Sequence, residues 1–141
     1  MFRNNHAFNS DLSAWNVGRV TVMIHMFQFA NAFNRDLNAW NVGAVMDMES
    51  MFRNNHAFSS DLSAWNVGRV TAMSCMFEGS IAFNGDLSAW NIAKVTYTTS
   101  MFQDAASFNG DPSAWNVCTV TAMRASPAVK RRRLNGKQSP P

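Results

Sequence analysis

No proline occurs before Pro112; Pro127, Pro140 and Pro141 complete the set. Charge is also scarce, at 15% of residues, while apolar side chains make up 47%. That balance is too apolar and too weakly charged for a disordered polypeptide. No apolar run approaches the roughly 18 residues of a membrane-spanning helix. The start, Met1-Phe2-Arg3-Asn4-Asn5-His6, lacks the basic-then-apolar layout of a signal peptide. Two cysteines, Cys75 and Cys118, do not make a disulfide framework. They lie far apart in the chain, at unrelated positions of the pattern described below, so free thiols are expected rather than a bridge.

Charge is unevenly placed. Residues 1–123 hold six basic and all nine acidic residues. Residues 124–141 hold the other six basic residues and no acid, so the high pI belongs to the tail. Lys130-Arg131-Arg132-Arg133, set among proline, glycine and serine, reads as a disordered basic tail. Nuclear import or phosphate contact is one reading of it. A solvated end, or an extension from a mispredicted gene, is the other.

What is abundant is self-similarity. Phe2, Phe27, Phe52, Phe77 and Phe102 recur at one fixed 25-residue interval, as do Phe8, Phe33, Phe58, Phe83 and Phe108. Asp11, Asp36, Asp61, Asp86 and Asp111 keep the same interval, as do the Trp-Asn pairs that begin at Trp15, Trp40, Trp65, Trp90 and Trp115. Residues 1–23 and 51–73 differ only at Asn9/Ser59 and Val22/Ala72. A fixed period of this length is the mark of a solenoid, in which each unit buries its apolar face against its neighbours. The expected fold is a leucine-rich-repeat-like solenoid of five 25-residue coils, 1–25, 26–50, 51–75, 76–100 and 101–123, with 124–141 as the tail.

Within each coil the recurring Met-Phe, Phe, Leu, Trp, Val, Val and Met positions form the expected inward ladder, since stacked copies must fill equal volumes. The tryptophans read as a buried column, with an exposed aromatic strip as the other reading. Met26, Ala30 and Phe33 stand at helical spacing, which predicts one or two helical turns over residues 26–33. Ala39-Trp40-Asn41-Val42 alternates as a very short strand would, and Val45-Met46-Asp47-Met48 gives a second extended piece. Strands stacked in register would make a stub of roughly 24 Å. The variable positions, such as Arg3-Asn4-Asn5-His6 and its counterparts, are expected to face water. Val22, Asp47, Ala72, Tyr97 and Ala122 share another free position, and Ile24, Glu49, Ser74, Thr99 and Arg124 a third.

Catalytic chemistry finds little purchase. His6 and His56 occupy one position two coils apart, too far for a shared metal, and His25 stands elsewhere. No Ser-His-Asp arrangement, metal-ligand spacing or phosphate loop occurs. The Asp ladder reads as caps on backbone amides of the following turn, with bridging calcium as the other reading. The Asn16 series reads as amides bonded along the stack. The reading is therefore no enzyme, no cofactor and no metal.

The string Phe8-Asn9-Ser10-Asp11-Leu12-Ser13-Ala14-Trp15-Asn16-Val17, followed by Val20-Thr21-Val22-Met23, resembles the BspA-like leucine-rich repeat family. More narrowly, it resembles the 25-residue class described as a domain of unknown function in Mycoplasma lipoproteins. The resemblance covers residues 1–123. It implies a surface or secreted adhesion protein that binds a protein or matrix ligand, with no enzymatic activity. The chain departs from the pattern: it has no lipoprotein cysteine near its start, and its first coil has no cap. Pro112 replaces the ladder Leu and Thr98 the ladder Met. An uncapped end exposes an apolar slab, so self-association through it, and a fragment of a longer array or a truncated gene, are expected.

The candidate ligand face comprises Arg19, Val22, Ile24, Asp47, Glu49, Arg69, Ala72, Lys94 and Tyr97. Tyr97 is its natural anchor. Neither a small-molecule substrate nor a transmembrane segment is expected, and nucleic acid only through Lys130, Arg131, Arg132 and Arg133. The alternatives are an intracellular protein that works through its basic tail, and a structural spacer with no ligand of its own.

Overall fold

A computed structural model describes residues 1–110 and Trp115. The basic tail, Asp111, Pro112 and Cys118 lie outside the described residues, as does the second half of the last segment. Throughout the described part, equivalent residues of successive 25-residue segments lie beside one another. Parallel bridges join Val22 to Asp47, Asp47 to Ala72, and Ala72 to Tyr97, each one period apart.

The core is built from two columns of phenylalanine. Phe2, Phe27, Phe52, Phe77 and Phe102 stack with ring centroids 5.5–5.6 Å apart and nearly parallel planes. Phe8, Phe33, Phe58, Phe83 and Phe108 stack beside them at 5.6–6.2 Å. Within each segment the two rings also lie face to face, at 3.9–4.1 Å. Burying each such ring stabilises by roughly 1.5–3 kcal/mol, and each aromatic contact adds about 0.5–1.5 kcal/mol. Leu37, Leu62, Val45, Val70, Met48, Met51, Met73 and Met76 complete the interior, all fully buried.

The tryptophans form a third column. Trp40, Trp65, Trp90 and Trp115 are buried, and the Trp65 and Trp90 rings are parallel at 6.4 Å. Each indole Nε1–H donates to a leucine carbonyl 28 residues earlier: Trp40 to Leu12, Trp65 to Leu37, Trp90 to Leu62 and Trp115 to Leu87, at 2.9–3.1 Å. Trp15, in the first described segment, is 40% exposed.

The helical turn expected over residues 26–33 is not there; among the described residues no helix occurs. Backbone N–H groups instead alternate in direction. Those of His25, Phe27 and Phe29 donate across to Glu49, Met51 and Arg53 carbonyls at 2.8–3.0 Å. Those of Met26, Gln28 and Ala30 donate back three residues, to Met23, His25 and Phe27, at 3.1–3.3 Å. A helix needs every N–H to point the same way along one axis. Spacing of three and four fits a run of overlapping turns equally well. The expected strand over residues 39–42 is also absent. Trp40 and Val45 N–H close three-residue-back turns onto Leu37 and Val42, and Asn41 caps the turn between them. Of the extended pieces, only the second exists, as a single bridged residue per segment.

Two positions per segment take positive φ: His25 and Phe29, Ser50 and Asn54, Cys75 and Gly79, Ser100 and Asp104. Each is the third residue of a four-residue turn closed by the N–H of the residue after it, as in Met26 to Met23 and Ala30 to Phe27. That is the φ signature of a type II turn, which favours Gly or Asn. Tight reversals of this kind let a short segment close on itself.

Such turns also overturn one expectation about exposure. The position of Asn5, Ala30, Asn55, Ser80 and Ala105 varies in sequence, yet from the second segment onward it faces inward: Ala30, Asn55, Ser80 and Ala105 are fully buried. Gln28, at another variable position, is buried too. The turn directs this side chain toward the core, where Ser80 Oγ–H donates to the Phe52 carbonyl.

Gly79 has φ +66°, and a Cβ there would overlap Asn54 Oδ1. Gly68 has ordinary φ, and its counterpart in the next segment is Ala93. Gly79→Ala is therefore expected to lower stability by roughly 1–3 kcal/mol in urea denaturation, and Gly68→Ala by much less. Equal losses from the two would contradict this account of the turn.

Candidate functional site

The candidate face is centred on the bridged column. Val22 and Tyr97 are 53% and 65% exposed, while Asp47 and Ala72 are half-buried between them. Buried Val45, Val70 and Val95 precede the column and buried Met23, Met48 and Met73 follow it. The chain thus presents only a short exposed strip between two rows of core residues. Ile24 and Glu49 lie on the exposed side two residues on, and Arg19, Arg69 and Lys94 three residues before. Val22, Ile24, Asp47, Glu49, Ala72 and Tyr97 lie on or beside this strip, and the valines Val20, Val70 and Val95, packed into the core, come between it and Arg19, Arg69 and Lys94 in the chain. Asp47 Oδ1 accepts the Glu49 N–H at 2.9 Å, fixing the carboxylate against its own backbone.

Residues adjoining the column were not singled out in the sequence. Met46 is 42% exposed. Thr71 Oγ1–H donates to the Met46 carbonyl and Thr96 Oγ1–H to the Thr71 carbonyl, both at 3.2 Å. The signal was the β-branched residue at that position in four segments, which reads first as strand propensity. The carbonyls of Asp47, Ala72 and Tyr97 accept from Met23, Met48 and Met73 N–H of the preceding segment, and beside them Met46 N–H donates to Thr21, Thr71 N–H to Met46 and Thr96 N–H to Thr71.

The Asp ladder lies elsewhere and is occupied locally. Asp11, Asp36, Asp61 and Asp86 each accept, through Oδ1, the backbone N–H two residues on, at 2.8–2.9 Å. The Asn16 series behaves likewise. Asn16, Asn41, Asn66 and Asn91 accept from Gly18, Gly43, Gly68 and Ala93 at 3.1 Å. These amides close turns inside their own segment and do not bond along the stack, contrary to the sequence expectation. A short side-chain acceptor two residues before a free N–H makes the local bond the shorter route.

The side-chain ladder that does run along the stack begins at Asn9. Asn9 Oδ1 accepts from Asn34 N–H, Asn34 Oδ1 from Ser59 N–H, and Asn84 Oδ1 from Asn109 N–H, at 2.8–3.1 Å. Arg53 and Glu78, one period apart, pair at 2.8 Å, the one ion pair among the described residues. Arg19, Arg69 and Lys94 are exposed.

Other reactive groups are subdued. Burial pushes the Cys75 thiol up to about 11, reinforced by neighbouring Glu78. The thiol is free, and its Sγ lies 3.8 Å from the Thr99 carbonyl. Burial holds His25 below its ordinary value, with Arg3 adding to the effect and Glu49 opposing it. His6 and His56 are exposed. Among the described residues no three His, Cys, Asp or Glu side chains converge as a metal site, and no helix is long and apolar enough to cross a membrane.

The chain belongs to the family described as "Mycoplasma protein of unknown function, DUF285", whose pattern matches residues 1–67 and again residues 35–132. The two matches overlap, as they must when one pattern can be laid on a periodic chain in more than one register. No curated protein and no solved structure matches the chain.

The capping carboxylates carry a pH dependence. Hydrogen bonds from the backbone N–H and then the hydroxyl of Ser13, Ser63 and Ser88 hold Asp11, Asp61 and Asp86 below the usual value of 3.8. A depressed folded-state value gives stability that is complete above the unfolded value and lost as pH falls through the folded one. Replacing all three by Asn keeps the Oδ1 acceptor and removes the titration. Between about pH 4 and pH 2 the triple variant is expected to lose less melting temperature than the parent. Identical acid profiles would place the acid sensitivity elsewhere.

Proposed function

We propose that the chain is a non-enzymatic binding module. In this reading it is a leucine-rich-repeat-like solenoid, akin to the BspA-like surface proteins, that presents the bridged column and its flanks to a protein or extracellular-matrix ligand. The observation that carries this is the contrast between core and face. Recurring positions are filled by stacked, buried Phe, Trp, Val and Met. The positions that differ from segment to segment at the column are the ones where Val22 and Tyr97 stand out into solvent. A scaffold whose stacked Phe, Trp, Val and Met rows are fixed by packing can vary at its solvent-facing positions without disturbing those rows. Variation at a regularly spaced, solvent-facing strip gives each segment its own contact while the frame stays the same.

Tyr97 supplies the largest such contact. An exposed tyrosine brings aromatic area and a hydroxyl at low conformational cost, the combination enriched at binding hot spots. Ala72 beside it leaves a step against which the ring stands proud. The polar groups of the rest of the segment support the reading in another way: the Asp11 and Asn16 series close turns, so their polar character is explained by architecture.

The test is surface plasmon resonance of the chain over immobilised fibronectin, laminin and collagen. Binding to at least one is expected, with Tyr97→Ala weakening it by about tenfold or more, a hot-spot loss of about 1.4 kcal/mol or greater. Circular dichroism should show the variant folded as the parent. Absence of binding to all three, or unchanged binding by Tyr97→Ala, would overturn the reading of this face.

A further inference from the structure

The column has a basic flank whose charges form no ion pair among the described residues. Arg69 and Lys94 hold the same position in adjacent segments, three residues before Ala72 and Tyr97, which the parallel bridge joins directly. Their segments are held in register by Thr96 N–H donating to the Thr71 carbonyl at 2.9 Å. In-register stacking places their backbones one strand spacing apart, about 4.7–4.9 Å. Arg19 continues the row two segments back, with Ala44 between. All three cations are exposed, and the one ion pair among the described residues, Arg53 with Glu78, involves none of them. Like charges directly opposite one another are unfavourable. The free chain therefore carries a repulsion between Arg69 and Lys94 that an anion lying along the row would relieve.

The neighbouring groups narrow the chemistry of that anion. Tyr97, three residues after Lys94, is 65% exposed. Thr99 is exposed and Ser74 half-exposed, while the exposed Thr71 and Thr96 spend their hydroxyl hydrogens on the Met46 and Thr71 carbonyls. An aromatic face, hydroxyl groups and two or three cations in line are the features that hold a sugar polymer bearing sulfate or carboxylate groups. An extended peptide fits less well. It would pair through backbone hydrogen bonds to a strand edge, and the carbonyls of Asp47, Ala72 and Tyr97 already accept from Met23, Met48 and Met73 N–H of the preceding segment.

We infer that the row Arg19, Arg69 and Lys94, with Tyr97, binds an acidic polysaccharide of the matrix, its anionic groups on the cations and a sugar face on the tyrosine. This rests on the binding-module reading and names the class of ligand. Heparin is the probe, with uncharged dextran as its control. Four forms of the full-length chain are compared: the parent, Arg69→Gln with Lys94→Gln, Tyr97→Ala, and a tail variant with Lys130, Arg131, Arg132 and Arg133 all changed to Ala.

The parent is expected to bind heparin, to ignore dextran, and to weaken as salt rises. The Arg69/Lys94 variant should lose about tenfold or more in affinity, as two charge-assisted contacts are removed. Tyr97→Ala should lose several-fold, and the tail variant should keep binding within about threefold. Thermal melts confirm that each form is folded. Heparin binding that disappears with the tail, or that survives Arg69→Gln/Lys94→Gln unchanged, overturns the inference, as does a parent that does not bind. If matrix proteins are still bound in a Tyr97-dependent way in any of those cases, the general reading of the face stands and only the acidic-polysaccharide assignment falls.

Discussion

Everything in this chain depends on returning two phenylalanine rings to the same place in every segment. The paired columns touch both within a segment and between segments, at 3.9–4.1 Å and 5.5–6.2 Å. Each ring therefore serves the closure of its own segment and the attachment of the next. One inserted or deleted residue would displace both columns at once, and neither stack tolerates a gap in a close-packed interior. The absence of proline before Pro112 follows from the same constraint. N–H groups at many positions are needed, some to close turns and some to bond the next segment, and proline has none to give.

The backbone solves a problem that neither helix nor broad sheet would solve in so few residues. Alternating N–H directions satisfy the segment internally and externally at the same time. Type II turns with positive φ at His25 and Phe29, and at their counterparts, supply the curvature. Short polar side chains then close the remaining corners, Asp36 onto Asn38 and Asn41 onto Gly43. Polar residues here are structural parts of a turn-built chain.

Much of this is legible from the sequence, and the failures have definite causes. The period, the inward Phe, Leu, Trp, Val and Met positions, and the exposed column through Val22 and Tyr97 all follow from recurrence. The helix over residues 26–33 does not survive, because apolar spacing of three and four is shared by helices and by successive four-residue turns. The variable position at Asn5 misleads in a similar way. Variation suggests solvent, but the turn carries Ala30, Asn55, Ser80 and Ala105 inside. The Asn16 series and the Asn9 series are alike in composition and opposite in direction. Only the backbone path decides which amide reaches its own turn and which reaches the neighbouring segment.

The indole bonds have a kinetic side. Each links residues 28 apart, the bridges link residues 25 apart, and the phenylalanine stacks span the same interval. These contacts between neighbouring segments therefore close loops of nearly constant length, wherever in the chain they form. The entropy of loop closure grows with the length of the loop, so adding segments raises the number of closures without making any of them harder. Absolute contact order stays level as such a chain lengthens, and relative contact order falls. A polypeptide of this design can be extended by duplication, as the near-identity of residues 1–23 and 51–73 records, without its folding being slowed by its own size.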